Sequence, residues 1–336
     1  MNIAIVGATG NVGRKIIEIL EKKQINIENL FLLASKNSEG KKINYNGKEH
    51  LVTDLEKFDF SNVKIAFFAA GSGVAEKWAH VAAEKTIVID NSKYFRKDPD
   101  IPLIVPEVNS KKLSDVKNKN IIANANCSVI PVVVALKPLH DLYDINRIVA
   151  STYQSVSGAG KSAMDELLSQ TENYFQNKKI SSKNFTKQIA FNAIPHIDSF
   201  LENGYTKEEQ KTTDEIKKIL DKKIKVTSTC VRIPVLVSHC ISANVEFNKK
   251  CDLDEIRTVL STSPGCKVVD EHQDGGYITP IEAEDKFETF ISRIRLDESR
   301  ENTINLWIVS DNLVKGAALN AVQIAESLIK NDFYGR

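Results

Sequence analysis

The chain has 336 residues, with 45 Lys plus Arg against 44 Asp plus Glu and 42% hydrophobic residues. That length suits two domains or one with a large insertion. The balanced charge gives no global field for nucleic acid or an anionic membrane, and the composition excludes disordered, coiled-coil and collagen-like classes. Five cysteines, at 127, 230, 240, 251 and 266, are an odd number without a C-x-x-C pair, which favours reduced thiols over a disulfide framework or a zinc site.

The opening MNIAIVG lacks a basic region followed by an apolar signal core. The longest apolar run, around Val129 to Leu136, is well short of the ~18 residues of a membrane span. A cytoplasmic protein with neither membrane nor nucleic-acid partners is expected.

In chain order, residues 3–6 read as a buried strand and 11–22 as a helix with Val12, Ile16, Ile19 and Leu20 on one stripe. Strands are expected at 30–34, 64–69, 86–89 and 121–123, with a helix at 75–84. This alternation implies right-handed parallel crossovers, hence a doubly wound, Rossmann-type α/β domain. Beyond residue 123 long alternating runs appear at 147–152, 225–237, 241–247, 289–296 and 305–310. They predict a large, mainly antiparallel sheet in an α+β domain. Helices are expected at 165–175, 252–260, 315–329 and in part of the lysine-rich 206–222. The polar stretch 177–187 reads as a surface loop.

The run GATGNVG (7–13) follows the first strand and opens the first helix. Its glycines allow backbone to approach a pyrophosphate, and the helix N-terminus favours the negative charge. The spacing is G-x-x-G-x-x-G rather than the commoner G-x-G-x-x-G. After the second strand, Ala34-Ser35-Lys36-Asn37-Ser38 offers hydroxyls and a cation, with no carboxylate before Glu39. That loop suits a 2′-phosphate and favours NADP over NAD. GAGKS (158–162) mimics a P-loop, but the first glycine of that motif is replaced by Ser155. Tyr174-x-x-x-Lys178 has the spacing of short-chain dehydrogenases but lies far past the dinucleotide unit.

Cys127 follows Asn124-Ala125-Asn126 at the end of a strand and precedes a helix. A helix N-terminus stabilises a thiolate, so this thiol is the candidate nucleophile, while the other four cysteines read as small buried side chains. His239, inside a long apolar strand region, is its best proton partner. Arg232 lies seven residues earlier, across Pro234. In a regular strand the two would face opposite sides, so a shared site requires a break near the proline.

Seven segments now stand in order: GATGNVG, NSKYFRKDPDIPLIVPEVN (91–109), NANCS (124–128), STYQSVSGAGKSAMDE (151–166), FNAIPHID (191–198), CVRIPVLVSH (230–239) and SDNLVKGAALNAVQIAE (310–326). Together they closely resemble the aspartate-semialdehyde dehydrogenase family along nearly the whole chain. The resemblance implies NADP-dependent, phosphorylating interconversion of L-aspartyl 4-phosphate and L-aspartate 4-semialdehyde through a cysteine thioester. Its products would be the semialdehyde and inorganic phosphate, feeding lysine, threonine, methionine and diaminopimelate synthesis.

By the same resemblance Cys127 would be the nucleophile, His239 the acid/base and Gln154 the residue orienting the thioester. Arg96, Asn126 and Lys211 would hold phosphate, Arg232 the substrate carboxylate and Glu208 its amino group. Gly7, Thr9, Gly10, Asn11, Val12, Gly13, Ser35, Lys36, Ser38 and Gly71 would contact the cofactor, with Gly158 and Asn312 near the nicotinamide; no metal site is implied. The family implies an NADP-binding domain of 1–125 and 312–336, a catalytic and dimerisation domain of 126–311, and a homodimer. Asn37 stands where the family commonly has arginine, which leaves Lys36 to supply the charge. The competing readings are a reductase of N-acetylglutamyl phosphate, against which STYQ and E-E-x-K speak, and a paralogue that only binds cofactor.

Overall fold

Short, almost wholly apolar runs become the strands of the first sheet, because parallel strands covered on both faces have no solvent side to make polar. In the computed structural model, which describes residues 1–331, these strands are β1 (Asn2–Val6), β2 (Asn29–Ala34), β3 (Lys42–Tyr45), β4 (Lys48–Asp54), β5 (Ile65–Phe68), β6 (Ile87–Asp90), β7 (Leu103–Ile104) and β8 (Ile121–Asn124). Their order is β3-β4-β2-β1-β5-β6-β8-β7. All neighbours are parallel except the β3–β4 hairpin.

Helix α1 (Asn11–Lys22) buries Ile16, Ile17, Ile19 and Leu20. Helix α2 (Ser72–Ala83) buries Ala75, Ala79, Ala82 and Ala83 and packs on β5, β6 and β8. A short α3 (Pro106–Asn109) follows β7. This is the expected Rossmann-type arrangement. The β3–β4 hairpin is an addition that hydrophobic periodicity did not disclose, because its strands are mostly exposed and rich in charge.

The second unit opens with α4 (Val129–Tyr143) and continues through β9 (Ile145–Gln154), α5 (Lys161–Phe175), α6 (Lys207–Ile219), β10 (Lys225–Arg232), β11 (His239–Phe247), α7 (Leu253–Thr262), β12 (Cys266–Val268), α8 (Pro280–Ala283), β13 (Thr289–Leu296) and β14 (Thr303–Ser310). The sheet order is β10-β9-β11-β14-β13-β12. Its centre is antiparallel, as expected; the flanking pairs β9–β10 and β12–β13 are parallel. The apolar α4 packs against β11, β13 and β14.

The run 225–237, expected as one strand, ends at Arg232. Pro234 lacks the N–H a sheet ladder requires, and the chain bends until Ser238, at φ +74°, leads into β11. The loop at 177–187 is irregular, as expected, yet tied down. Glu166 accepts the backbone N–H groups of Lys183 and Asn184, and Gln170 those of Ile189 and Ala190.

Residues 314–318 form a π-helical turn rather than the start of a regular helix, and α9 (Leu319–Lys330) then packs against α1, α3 and β6. The two compact units are therefore Met1–Ala125 with the chain from Ala317 onward, and Asn126–Gly316. Residues 312–316, grouped with the first domain from sequence, belong to the second unit. The physical reason is Asp311: its carboxylate accepts the N–H groups of Leu313 and Val314 and its carbonyl that of Gly316, fastening the turn to the end of β14. The remainder of the expected segment, 332–336, lies outside the described residues. Among the described residues no helix is long and apolar enough to cross a membrane.

A Cβ on Gly13 would stand 2.2 Å from the Gly7 carbonyl oxygen, a backbone atom with little room to yield. Gly13→Ala is therefore expected to cost about 1–3 kcal/mol of stability, read from the denaturant midpoint.

Candidate active site

In the first unit the glycine-rich turn is shaped by contact as well as by φ. Gly7 sits at φ +88°, and a Cβ there would lie 2.6 Å from the Ala69 carbonyl oxygen. Gly10 is the N-cap of α1 and brings no side chain to the helix end. Such an end leaves N–H groups and a partial positive charge for an anion.

Beside it lies a cavity of about 650 Å³, lined by Gly7, Thr9 and Gly10, by Ser35, Lys36 and Asn37 after β2, and by residues from two further elements. Asp54, Leu55 and Glu56 come from the exit of β4, and Val74, Lys77 and Trp78 from α2. Those two groups were missed from sequence, since only the hairpin and the crossover bring them to the glycine turn. Asp54 accepts the Glu56 N–H at 3.2 Å, and Glu56 pairs with Lys77 at 2.8 Å. Asn11, Val12 and Gly13 lie in the first turn of α1, outside the cavity lining, and Gly71, at φ +83°, caps α2. The Ser38 hydroxyl receives Lys41 instead. Arg96 also belongs to this unit, donating to the carbonyls of Asn124 at 2.9 Å and Asn91 at 3.1 Å.

In the second unit the turn Asn126-Cys127-Ser128 leads into α4. Asn126 Oδ1 accepts the N–H of Ser128 at 2.9 Å, its own N–H donates to Glu215 at 2.7 Å, and its Nδ2 donates to Glu208 at 2.9 Å. Cys127 Sγ lies 3.3 Å from His239 Nε2. A Cβ on Gly316 would stand 3.0 Å from the Cys127 Cβ, so glycine lets the π-helical turn pass close to the thiol. Burial pushes the thiols of Cys230 and Cys240 up to about 12, in keeping with small buried side chains, whereas Cys251 and Cys266, read the same way from sequence, are only half-buried.

The break after β10 brings Arg232 and His239 to one wall. A Cβ on Gly158 would come within 3.2 Å of Arg232 Nη1 and 3.4 Å of the His239 ring. Arg232 donates to the Ser155 carbonyl at 2.6 Å. The Ser155 N–H in turn donates to His239 Nδ1 at 3.1 Å. Leaving a buried donor without its acceptor costs about 1–3 kcal/mol, so this bond fixes the ring's orientation. Burial first, and the Arg232 charge second, push the His239 imidazole down to about 3. The ring is neutral at pH 7. Asn312 Oδ1 accepts the Ser238 N–H at 2.8 Å and the Ser155 hydroxyl at 3.1 Å. Gly158 and Asn312 thus stand beside the histidine.

Helix α6 begins with a capping box, Thr206 with Glu209, that fixes its start. Glu208 and Glu215, two turns apart on one face, both reach the Asn126 turn. Gln154 donates to Glu208 at 3.3 Å. Lys211 bridges Glu208 at 2.5 Å and Asp198 at 3.1 Å. Burial alone would raise the Glu208 carboxyl. The Lys211 charge, with hydrogen bonds from Lys211, Asn126 and Gln154, outweighs it and holds the group below its usual range. Burial likewise opposes the Lys211 charge, but Glu208 and Asp198 raise it above its usual value. Ser155, Asp198, Glu215 and Gly316 carried no role from sequence. Only the spacing of Glu215, seven residues after Glu208, was a usable signal.

Two family models match the chain. A family model for the NAD binding domain of semialdehyde dehydrogenases matches residues 2–116, and one for their dimerisation domain matches 136–315. The chain is 49% identical over 330 residues to the aspartate-semialdehyde dehydrogenase of Rickettsia bellii, and 49% over 332 residues to that of Aquifex aeolicus, in each case across 98% of both chains. The crystal structure of aspartate semialdehyde dehydrogenase II from Vibrio cholerae matches with a TM-score of 0.97 at 46% identity, over 99% of both chains. That protein has also been solved complexed with ASA.

Removing one partner of the buried pair should be costly. Lys211→Met is expected to lose about 3–5 kcal/mol, and adding Glu208→Gln should recover part of it, in a denaturation double-mutant cycle. Glu208 stabilises the fold above its unfolded carboxyl range, and that contribution is lost as pH falls through its lower folded value. The acid limb of wild-type stability should therefore be steeper than that of Glu208→Gln.

Proposed function

This chain belongs to the aspartate-semialdehyde dehydrogenase family, and from that premise we propose that it reduces L-aspartyl 4-phosphate to L-aspartate 4-semialdehyde through a thioester on Cys127. The observation that carries the reading is the Cys127 thiol 3.3 Å from a buried, neutral His239, with Arg232 on the same wall. The ASA complex of the Vibrio cholerae relative supports the substrate class.

In this reading the Cys127 thiolate attacks the acyl carbon, the bond to phosphate breaks, and a thioester remains. NADPH, when bound, supplies the hydride. The resulting thiohemiacetal collapses to the aldehyde and frees the thiolate. His239 assists at the sulfur; a positioned acid/base of this kind contributes about 10²–10⁴-fold. Gln154 orients the acyl group. The Arg232 fork takes the substrate carboxylate, for which guanidinium geometry is suited. Glu208 takes the amino group, and Arg96, Asn126 and Lys211 the phosphate. Glu208 and Lys211 pair with one another at 2.5 Å, which keeps both ends of the proposed substrate site charged. The step would supply lysine, threonine, methionine and diaminopimelate synthesis.

The residues around the first-unit cavity fit a dinucleotide, since the close approach at Gly7 and the uncapped α1 suit a pyrophosphate. Lys36 with Ser35 favours a 2′-phosphate, hence NADP. Asp54 and Glu56 line the same cavity, and the Lys77 pairing of Glu56 tempers its repulsion. The reading includes a homodimer. Ser151, Ser242 and Trp307 stand side by side by register, half-buried, with Trp307 against Tyr153 at 5.5 Å. This face, within the region matched by the dimerisation model, is the surface proposed for the second copy.

A phosphate-dependent assay offering aspartate semialdehyde or N-acetylglutamate semialdehyde, each with NADP and NAD, should show turnover of the first with NADP preferred. No turnover of aspartate semialdehyde would refute the reading. Cys127→Ala should abolish turnover while leaving NADPH binding nearly intact by fluorescence titration. Arg232→Lys should raise KM for the semialdehyde more than KM for phosphate; the reverse would exchange the two binding roles.

A further inference from the structure

We propose that Asp54 receives the adenosine ribose of the dinucleotide through the carboxylate oxygen that its own turn leaves unused, and that this contact lets the site bind NAD as well as NADP. The inference deepens the dinucleotide reading of the first-unit cavity and rests on it.

In open parallel sheets a ligand lies beyond the carboxyl ends of the strands, and an NAD site usually takes its ribose acid from the end of the second strand. Here that end reads Ala34-Ser35-Lys36, without a carboxylate. The β3–β4 hairpin supplies one from the next strand outward. β4 runs parallel to β2, and its last residue, Asp54, is the register partner of Ala34, the last of β2. Neighbouring strands are about 4.8 Å apart, a distance that one ribose spans. Asp54 thus stands level with the place where the acid is missing, and both residues line the cavity.

Asp54 is 3% exposed. Its Oδ1 accepts the Glu56 N–H at 3.2 Å, which caps the turn at 55–57 and fixes the side chain. Its Oδ2 is left without a hydrogen-bond partner, and among the described residues Asp54 enters no ion pair. The Lys57 charge bears on it, but that ammonium is itself paired with Glu39 at 3.0 Å. A buried carboxylate is costly unless it is paired or hydrogen-bonded, so the second oxygen points to a donor from outside the protein. Ribose hydroxyls are such donors. Glu56 differs, being exposed and already paired with Lys77 at 2.8 Å.

The two cofactors meet this acid differently. With NAD, both the 2′ and 3′ hydroxyls of the adenosine ribose can donate to it. With NADP the 2′-phosphate repels the carboxylate, and only the 3′ hydroxyl donates. Asp54 therefore narrows the preference for NADP that Ser35 and Lys36 confer.

The test is equilibrium titration of the full-length protein, followed by nucleotide fluorescence, with NADPH, NADH and the NADH analogue lacking the adenosine 2′ hydroxyl. The wild type should bind NADH, and the 2′-deoxy analogue about 10-fold more weakly. Asparagine keeps an oxygen for the Glu56 N–H, so Asp54→Asn should leave the thermal midpoint of the nucleotide-free protein unchanged. It should raise the ratio of Kd for NADH to Kd for NADPH about 10-fold and shrink the penalty on the 2′-deoxy analogue. Equal binding of NADH and its 2′-deoxy analogue by the wild type overturns the proposal, as does an equal loss of NADH and NADPH in Asp54→Asn. Binding of NADPH without NADH also overturns it and leaves the reductase reading intact. Binding of neither overturns it together with the dinucleotide reading of the cavity.

Discussion

Residues seven apart in a regular strand face opposite sides, so Arg232 and His239 share one wall only because the extended run between them is broken. Pro234 removes a ladder donor, and Ser238 adopts φ +74°, a conformation that L residues rarely take. The Ser238 N–H is held by Asn312, whose oxygen also receives the Ser155 hydroxyl, and Ser155 holds the histidine ring. Local strain at Ser238 is thus offset by a fully buried hydrogen-bond network. The cationic fork, the imidazole and the thiol come together as its consequence.

A second constraint is charge burial. Glu208 and Glu215 sit in a protein interior that penalises ionised groups unless they are paired or hydrogen-bonded. Glu208 meets that requirement through Lys211, Asn126 and Gln154, and Glu215 accepts the backbone N–H of Asn126. Both carboxylates therefore hold the turn that carries Cys127. Three of the groups proposed to bind substrate, Glu208, Lys211 and Asn126, hold one another in place.

The first unit solves a separate problem, that of bringing backbone near an anion. Gly7 and Gly13 approach backbone closely, and α1 begins without a side-chain cap. The β3–β4 hairpin adds Asp54, Leu55 and Glu56 to the cavity, which gives it carboxylates that the loop after β2 lacks. In the function proposed above, cofactor choice would depend on the balance between Lys36 and Lys77 on one side and these acids on the other.

The sequence by itself determined the strand and helix alternation, the glycine turn, the thiol at a helix entry and the family. Each rests on periodicity or on residues adjacent in the chain, where local sterics and burial decide the outcome. The exposed hairpin left no periodic signal. The roles of Ser155, Asp198 and Gly316 left none either, because they depend on contacts with residues outside their own segments. A break near Pro234 was legible as the condition for a shared site, whereas the tertiary structure alone decided that residues 312–316 stay with the second unit and that His239 faces the thiol with its far nitrogen held by an amide. As for charge, the near-neutral sum of 45 cations and 44 anions says nothing of where they meet. Burial and pairing gather Glu208, Lys211, Glu215 and Arg232 into the unit that carries Cys127, and only folding brings those groups within range of one another.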